Sequence, residues 1–435
     1  MRSLRWIAPA LCLAALRPGT AAAQSSRLVL GSDTASWMGV SGQARVRGES
    51  WTNFGAGAPS SADHDDAFAL TRLLLRGELH VKGAATVVAE LKSSLAGDRT
   101  LPGGRRPSDE DEIDIQQLYA EGAAALGAAR FTARAGRFDL ALGRERLVSP
   151  LDWTNSRRAF QGASARLRAS AYDLQAFWVR PIVVRQEQMN RADTVRQLYG
   201  AQVARGWPGV SAELYWLRNE TRTASINGTA GSERRHTLGY RLSRRAAPQR
   251  VDFDVEMAWQ TGSLGGQDVN AFMVGSQAGY SFKGAPLRIY GGFDLGTGDH
   301  SSGGSVQTFN QLFPLSHAYL GYIDVHGRQN VASLSTGAVL RPARDWSVQL
   351  DGLAFQRASS ADGLYAADGS VARQPGSGLS KRVGEEIDLT VRRSFERGRL
   401  ILQGGASRYF AGPFLRQTGP ADNITWAYGQ VTATF

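Results

Sequence analysis

An all-β fold, a transmembrane antiparallel β-barrel of about 16 to 18 strands, is what this sequence predicts, and three observations carry that prediction. Several segments alternate polar and apolar residues at period two, the N-terminus has the build of a secretory leader, and the chain closes on an aromatic residue inside an alternating run. Alternation by itself would also suit a soluble sheet with one wet face. The two ends of the chain decide between these readings.

At the N-terminus, Arg2 and Arg5 precede an apolar stretch from Trp6 to Leu16, and Ala21 and Ala23 stand at A-x-A spacing before Gln24. Residues 1–23 therefore read as a signal peptide. The apolar stretch is too short to cross a bilayer, which takes about 20 residues, and no later stretch is long enough either. Cys12, the only cysteine, leaves with the leader, and Leu11 is not the small residue that lipoprotein processing uses. The mature chain, 24–435, is expected to be one barrel domain without transmembrane helix, lipid anchor, disulfide or cysteine metal site.

Along the mature chain the alternation returns repeatedly. Arg72, Arg76, Glu78, His80 and Lys82 interleave with Leu73, Leu75, Leu79 and Val81, which is a strand with two unlike faces. Ser164, Arg166, Arg168 and Ser170 share one face of Ala163 to Ala171, and Asp252, Asp254 and Glu256 lie opposite Val251, Phe253, Val255, Met257 and Trp259. In the last segment Val431, Ala433 and Phe435 oppose Gln430, Thr432 and Thr434, and a terminal aromatic on the lipid face resembles the assembly signal of outer-membrane barrels. The 10 Trp, 12 Tyr and 17 Phe are enough to furnish the two interfacial girdles of such a barrel. Facing lipid at mid-depth, Arg72, Arg76 and Lys82 would cost about 2 to 4 kcal/mol each, so they are assigned to the lumen or the headgroup zone. The polar stretches 55–66, 101–112, 296–306 and 359–378, rich in Gly, Ser, Asp or Pro, separate the runs and read as outer loops.

The mature length is 435 − 23 = 412 residues, and hairpins of roughly 45 residues set the strand estimate. Such a barrel is too wide for wall side chains to fill, so its lumen holds water or inserted loops. Without Arg2, Arg5 and Arg17 the charge is 47 − 39 = +8, and Lys82, Lys92, Lys283 and Lys381 are the only lysines. The basic surplus is thus arginine, whose fork binds carboxylates at two points. A lumen lined by Arg72, Arg76, Arg134, Arg137, Arg144, Arg146, Arg166 and Arg168 would concentrate an anionic solute or polysaccharide. The plain alternative is that many arginines sit at headgroups or in loops, against outer-membrane lipid and lipopolysaccharide phosphate.

Gly136 to Phe160 is the densest basic stretch. Gly136, Arg137, Leu140, Gly143, Arg146 and Leu147 form a G-R-x-x-L-x-x-G-x-x-R-L run that resembles the alginate-export family of outer-membrane barrels, with Phe138 and Arg144 departing from its usual residues. A second run matches that family at Phe309, Leu312, Phe313, Pro314, His317, Gly321, Asp324, Gln329 and Asn330. The resemblance implies an 18-stranded monomeric barrel with an arginine-rich passage for an anionic polyuronate. The runner-up function is a general or small-solute uptake porin.

Other chemistries find less support. His317 and Asp324 are expected to fix a loop by hydrogen bonding rather than to touch substrate. Asp63-His64-Asp65-Asp66 and Asp109-Glu110-Asp111-Glu112 could bind a divalent cation, but they stand among Ser, Pro and Gly and read as solvated loops, so no metal or cofactor is expected. No G-x-S-x-G or H-E-x-x-H occurs, and His300 in G-D-H-S-S-G-G has its serines beside it in sequence, which is not how triads assemble; no catalytic residue is assigned. Interleaved acidic residues and the absence of a binding motif argue against nucleic acid. A periplasmic partner is conceivable, and no segment identifies it.

Overall fold

The computed structural model describes residues 28–30, 36–55, 65–301 and 303–435. The leader, 1–23, and the Asp63-His64 pair lie outside the described residues. Eighteen antiparallel strands close into a barrel. The first six are β1 (Trp37–Thr52), β2 (Asp66–Val81), β3 (Ala85–Ala96), β4 (Asp111–Leu126), β5 (Ala129–Phe138) and β6 (Phe160–Ala169). Next come β7 (Tyr172–Val183), β8 (Arg196–Trp207), β9 (Val210–Ile226), β10 (Thr229–Arg244), β11 (Val251–Leu264) and β12 (Gln267–Ser281). The last are β13 (Leu287–Gly296), β14 (Val331–Leu340), β15 (Trp346–Arg357), β16 (Arg382–Phe395), β17 (Leu400–Ala411) and β18 (Ile424–Thr434). Short pieces at Leu28–Val29 and Arg191–Ala192 extend the sheet beside β1 and β7.

Each strand follows its own alternation. On β2, Arg72 and Leu74 are 2% and 5% exposed on the inner face, while Leu73 and Leu75 are 49% and 45% exposed on the outer one. On β11, Asp252, Asp254 and Glu256 point inward and Val251, Met257 and Trp259 outward. The ring closes by pairing β1 with β18, from Gln43↔Thr434 to Thr52↔Thr425, which leaves no open edge in the membrane. Phe435 continues the seam: its N–H donates to the Gly42 carbonyl and its carbonyl accepts from the Gly42 N–H. Its ring lies on Gly42, where a Cβ would come within 2.5 Å, so only glycine leaves room for it.

Tight turns at 82–84, 127–128, 170–171 and 208–209 mark one end of the barrel, and the long segments 139–159, 297–330 and 358–381 mark the other. In barrels of this kind the turns face the periplasm and the loops the outside. Lys82, expected on a strand, sits in a turn at φ 48°. The 101–112 stretch ends as strand, because β4 starts at Asp111, and 359–378 contains a small hairpin, Leu364–Tyr365 with Val371–Arg373.

The outer half of the bore is filled. Leu140, Leu142, Leu147 and Val148 pack with Phe309, Leu312 and Phe313 against inward Phe138, Phe160, Phe177 and Leu198. A second apolar cluster joins Leu320, Ile323 and Val325 to Trp51, Leu70, Phe355, Tyr409 and Trp426 and to helix α1 (Pro413–Thr418). Inward apolar residues at the loop end thus hold inserted loops rather than line open water.

Candidate functional site

Loop 139–159 crosses the bore and is fastened at both sides. Arg45 on β1 donates to the carbonyls of Asp152, Trp153 and Thr154 and to Asn155 Oδ1, and Arg47 donates to the Trp153 carbonyl at 2.8 Å. Arg72 pairs with Asp152 at 3.0 Å and also donates to its carbonyl. Asn155 Nδ2 donates to the carbonyls of Thr71, Leu95 and Asp109 at 3.0, 3.1 and 2.8 Å. On the far wall Arg146 meets Asp254 at 2.5 Å and Glu256 at 3.4 Å. Burial works to raise the Asp152 carboxyl, but Arg72, Arg157 and Arg45 outweigh it and hold it below the usual range.

Loop 297–330 lies on the first loop. Val148 and Phe313 form a parallel bridge, with Phe313 N–H donating to Leu147 O and Ser149 N–H to Phe313 O, both at 2.9 Å. His317 stacks between Trp153 (4.0 Å) and Tyr322 (4.6 Å), its Nδ1 lying 3.2 Å from Asp324. Ile323 N–H donates to Glu386 on β16 at 2.9 Å, and Arg328 pairs with Asp294 on β13. Asn330 donates to the carbonyls of Ser359 and Gly363, and Gln329 to that of Gly369, tying this loop to 358–381. Between the loops and the β12–β16 wall, a polar gap bordered by Arg146, Tyr319, Tyr322, Gln349, Asp351 and Asp388 encloses about 60 Å³, room for a few waters.

The arginines expected to line the lumen divide into three groups. Arg76, Arg134, Arg166 and Arg168 take inward positions towards the turn end, paired with Glu78, Glu121 and, for the last two together, Asp173. Arg72 and Arg146, both 2% exposed, are corrections: they anchor loop 139–159 and present no free guanidinium to the passage. Arg137 is a correction too, because Phe138 takes the inward position at 1% exposed and Arg137 is spent on Asp114, the Ile115 carbonyl and the Asn190 carbonyl. Arg144 is exposed on the loop, its carbonyl accepting from Tyr319. Gly136 adopts φ 132° with Leu118 O at 2.2 Å from where a Cβ would be, and Gly143 adopts φ 55°. Sequence reasoning missed Arg130, which sits directly across from Arg168 on the inner face and forms no ion pair among the described residues. Its place two positions before Thr132 in an alternating run was the available signal.

Other candidates resolve into structure. Asp109 pairs with Arg106 and Arg99, Glu110 with Arg105 and Asp111 with Lys92. Among the described residues no group of three or more metal-ligating side chains converges. His300 faces Gln307 at 2.5 Å, while Asp299 accepts from the Thr308 N–H and from Asn227.

Residues 36–426 match the family model described as alginate export. The chain belongs to the alginate-export family. No curated protein matches it. Similar solved structures are proteins of Pseudomonas aeruginosa: OpdO, 12% identical with TM-score 0.61 over 92% of this chain and 97% of that one, and OccK8 (OprE), 11% identical with TM-score 0.61 over 92% and 98%. A third is OccK2 (OpdF) in complex with glucuronate, 9% identical with TM-score 0.60 over 92% and 98%. At these identities the likeness concerns the barrel. Family and fold together make this alginate-export barrel an outer-membrane channel.

Proposed function

We propose that the channel passes a hydroxylated carboxylate of the uronate class, drawn in by arginines at its periplasmic mouth. The observation that carries this reading is the inner face of β5 and β6. Arg130 opposes Arg168 directly, Arg166 and Arg168 share the single carboxylate of Asp173, and Arg134 has only Glu121. Like charges placed opposite each other weaken a sheet. A surplus of cations exposed to the bore is what an anion would neutralise, and each guanidinium offers a two-point fit to a carboxylate.

Further along, His317, Tyr319 and Tyr322 border the narrow gap beside Asp351 and Asp388, with Trp153 stacked behind His317. Carboxylate acceptors and flat ring faces there suit the hydroxyls and C–H face of a sugar. A gap of about 60 Å³ does not admit a sugar ring, so passage requires loop 139–159 or 297–330 to shift. Export of a polyuronate accords with the family description, and uptake of a small uronate, the second reading, with the glucuronate held by OccK2.

Planar-bilayer conductance under a salt gradient tests the proposal. The expected result is anion preference, block by uronate oligomers and not by neutral ones, and loss of that preference in Arg130→Ser/Arg166→Ser/Arg168→Ser. A nonselective current unaffected by uronates defeats it. Block by monomeric glucuronate alone favours uptake over export.

A further inference from the structure

The outer face of β7 to β11 carries an aromatic row and, one step nearer the loop end on β7, β9 and β10, an arginine row. Trp178, Trp216 and Trp259 are 40%, 38% and 53% exposed, and their indole N–H groups face Gln197, His236 and Asn270. Such a row marks the depth of the outer interface. Two residues beyond Trp178 and Trp216 stand Arg180 and Arg218, and two before His236 stands Arg234, opposite Glu220. Their chain neighbours Val179, Glu233 and Arg235 are buried in the bore, which turns Arg180 and Arg234 outward. Arg222 lies one step higher, donating to the Thr194 carbonyl.

Of these arginines only Arg218 has a carboxylate partner, Glu220; Arg180, Arg222 and Arg234 form no ion pair among the described residues. From β7 to β10 they span three strand spacings, about 14 Å, too wide for one phosphate. Beneath them an apolar groove is lined by Ala165, Leu167, Leu174, Ala176, Val203 and Leu214. We propose that this surface docks the diphosphorylated glucosamine headgroup of lipopolysaccharide, with the phosphates on Arg180, Arg222 and Arg234 and an acyl chain in the groove. The occupant follows from position: the patch sits at outer-leaflet headgroup depth, its four arginines have the one carboxylate of Glu220 among them, and its width calls for two anionic groups.

Native mass spectrometry of the full-length barrel in detergent tests this, with diphosphoryl lipid A, monophosphoryl lipid A, phosphatidylglycerol and inorganic phosphate as probes. Diphosphoryl lipid A is expected to be retained most strongly. Arg180→Gln/Arg222→Gln/Arg234→Gln should weaken it by roughly 100-fold, while Arg244→Gln at the turn end leaves it unchanged. If the triple variant does not fold, as judged by heat-modifiable gel mobility, Arg234→Gln alone should weaken it by about fivefold. Equal retention in the variants, or displacement by matching amounts of phosphatidylglycerol or inorganic phosphate, overturns the proposal.

Discussion

Arg146 shows how a residue chosen for one reason can serve another. It is 2% exposed, with Asp254, Glu256 and Asp294 around it, and this acidic surrounding raises its pKa against the opposing effect of burial. Arg146→Ala leaves Arg241 on Asp254 and Tyr215 on Glu256, so the expected loss is about 3 kcal/mol, the lower end for a broken buried pair. The loop should then undock often enough to raise single-channel conductance, and an unchanged conductance would show that the pair does not hold the loop shut. His326 gives a pH handle. Burial against Phe355 and Tyr409 lowers its pKa to about 3, from about 6.5 when unfolded. The unfolded chain therefore binds the extra proton as pH falls below about 6.5, and stability falls with it, by about 2 kcal/mol between pH 7 and pH 5. Urea midpoints at both pH values should show that drop in the parent and not in His326→Gln. The chemistry of these residues was readable in the sequence, but their partners lie on strands far away along the chain. Spacing within one segment carries no record of them.

Strands announce themselves because lipid enforces period two. On β2, β6 and β11 the positions within the strands face inward or outward as read, since a charge facing lipid is costly at each step, and only Lys82 and Ser170, at the strand ends, fall in turns instead. Loops have no such constraint, and 139–159 and 297–330 enter the bore through backbone carbonyls that any residue could supply. Asn155 makes the point: one side chain satisfies three carbonyls from β2, β3 and the 97–110 loop. Asn155→Ala strands those acceptors, at a cost of about 1 to 3 kcal/mol. Limited proteolysis should then cut loop 139–159 faster in the variant; equal rates would mean that Arg45, Arg47 and Arg72 hold the loop without it. Arg137 failed as a lumen residue for a related reason, as the strand end at Phe138 places the ring inward and leaves the guanidinium to bind the 184–195 loop.

Taken whole, the molecule sorts its charge by place. Carboxyl groups Asp351, Glu386 and Asp388 gather on β15 and β16, while arginines dominate β1, β2, β5 and β6. Attraction by exposed arginines at the turn end should fade with salt, because the screening length falls from about 10 Å at 0.1 M to about 3 Å at 1 M. Reversal potentials measured at both strengths should show anion preference shrinking, and a preference that persists at 1 M would locate the selecting charges inside the narrow gap instead. The sequence by itself determined the barrel and the inward set on strands such as β2 and β11, because a bilayer penalises a misplaced charge locally. Only the tertiary structure decided which arginines stay available to a solute. Bringing two loops into the bore uses Arg45, Arg47, Arg72 and Arg146 as fasteners, and that choice depends on contacts between segments far apart along the chain.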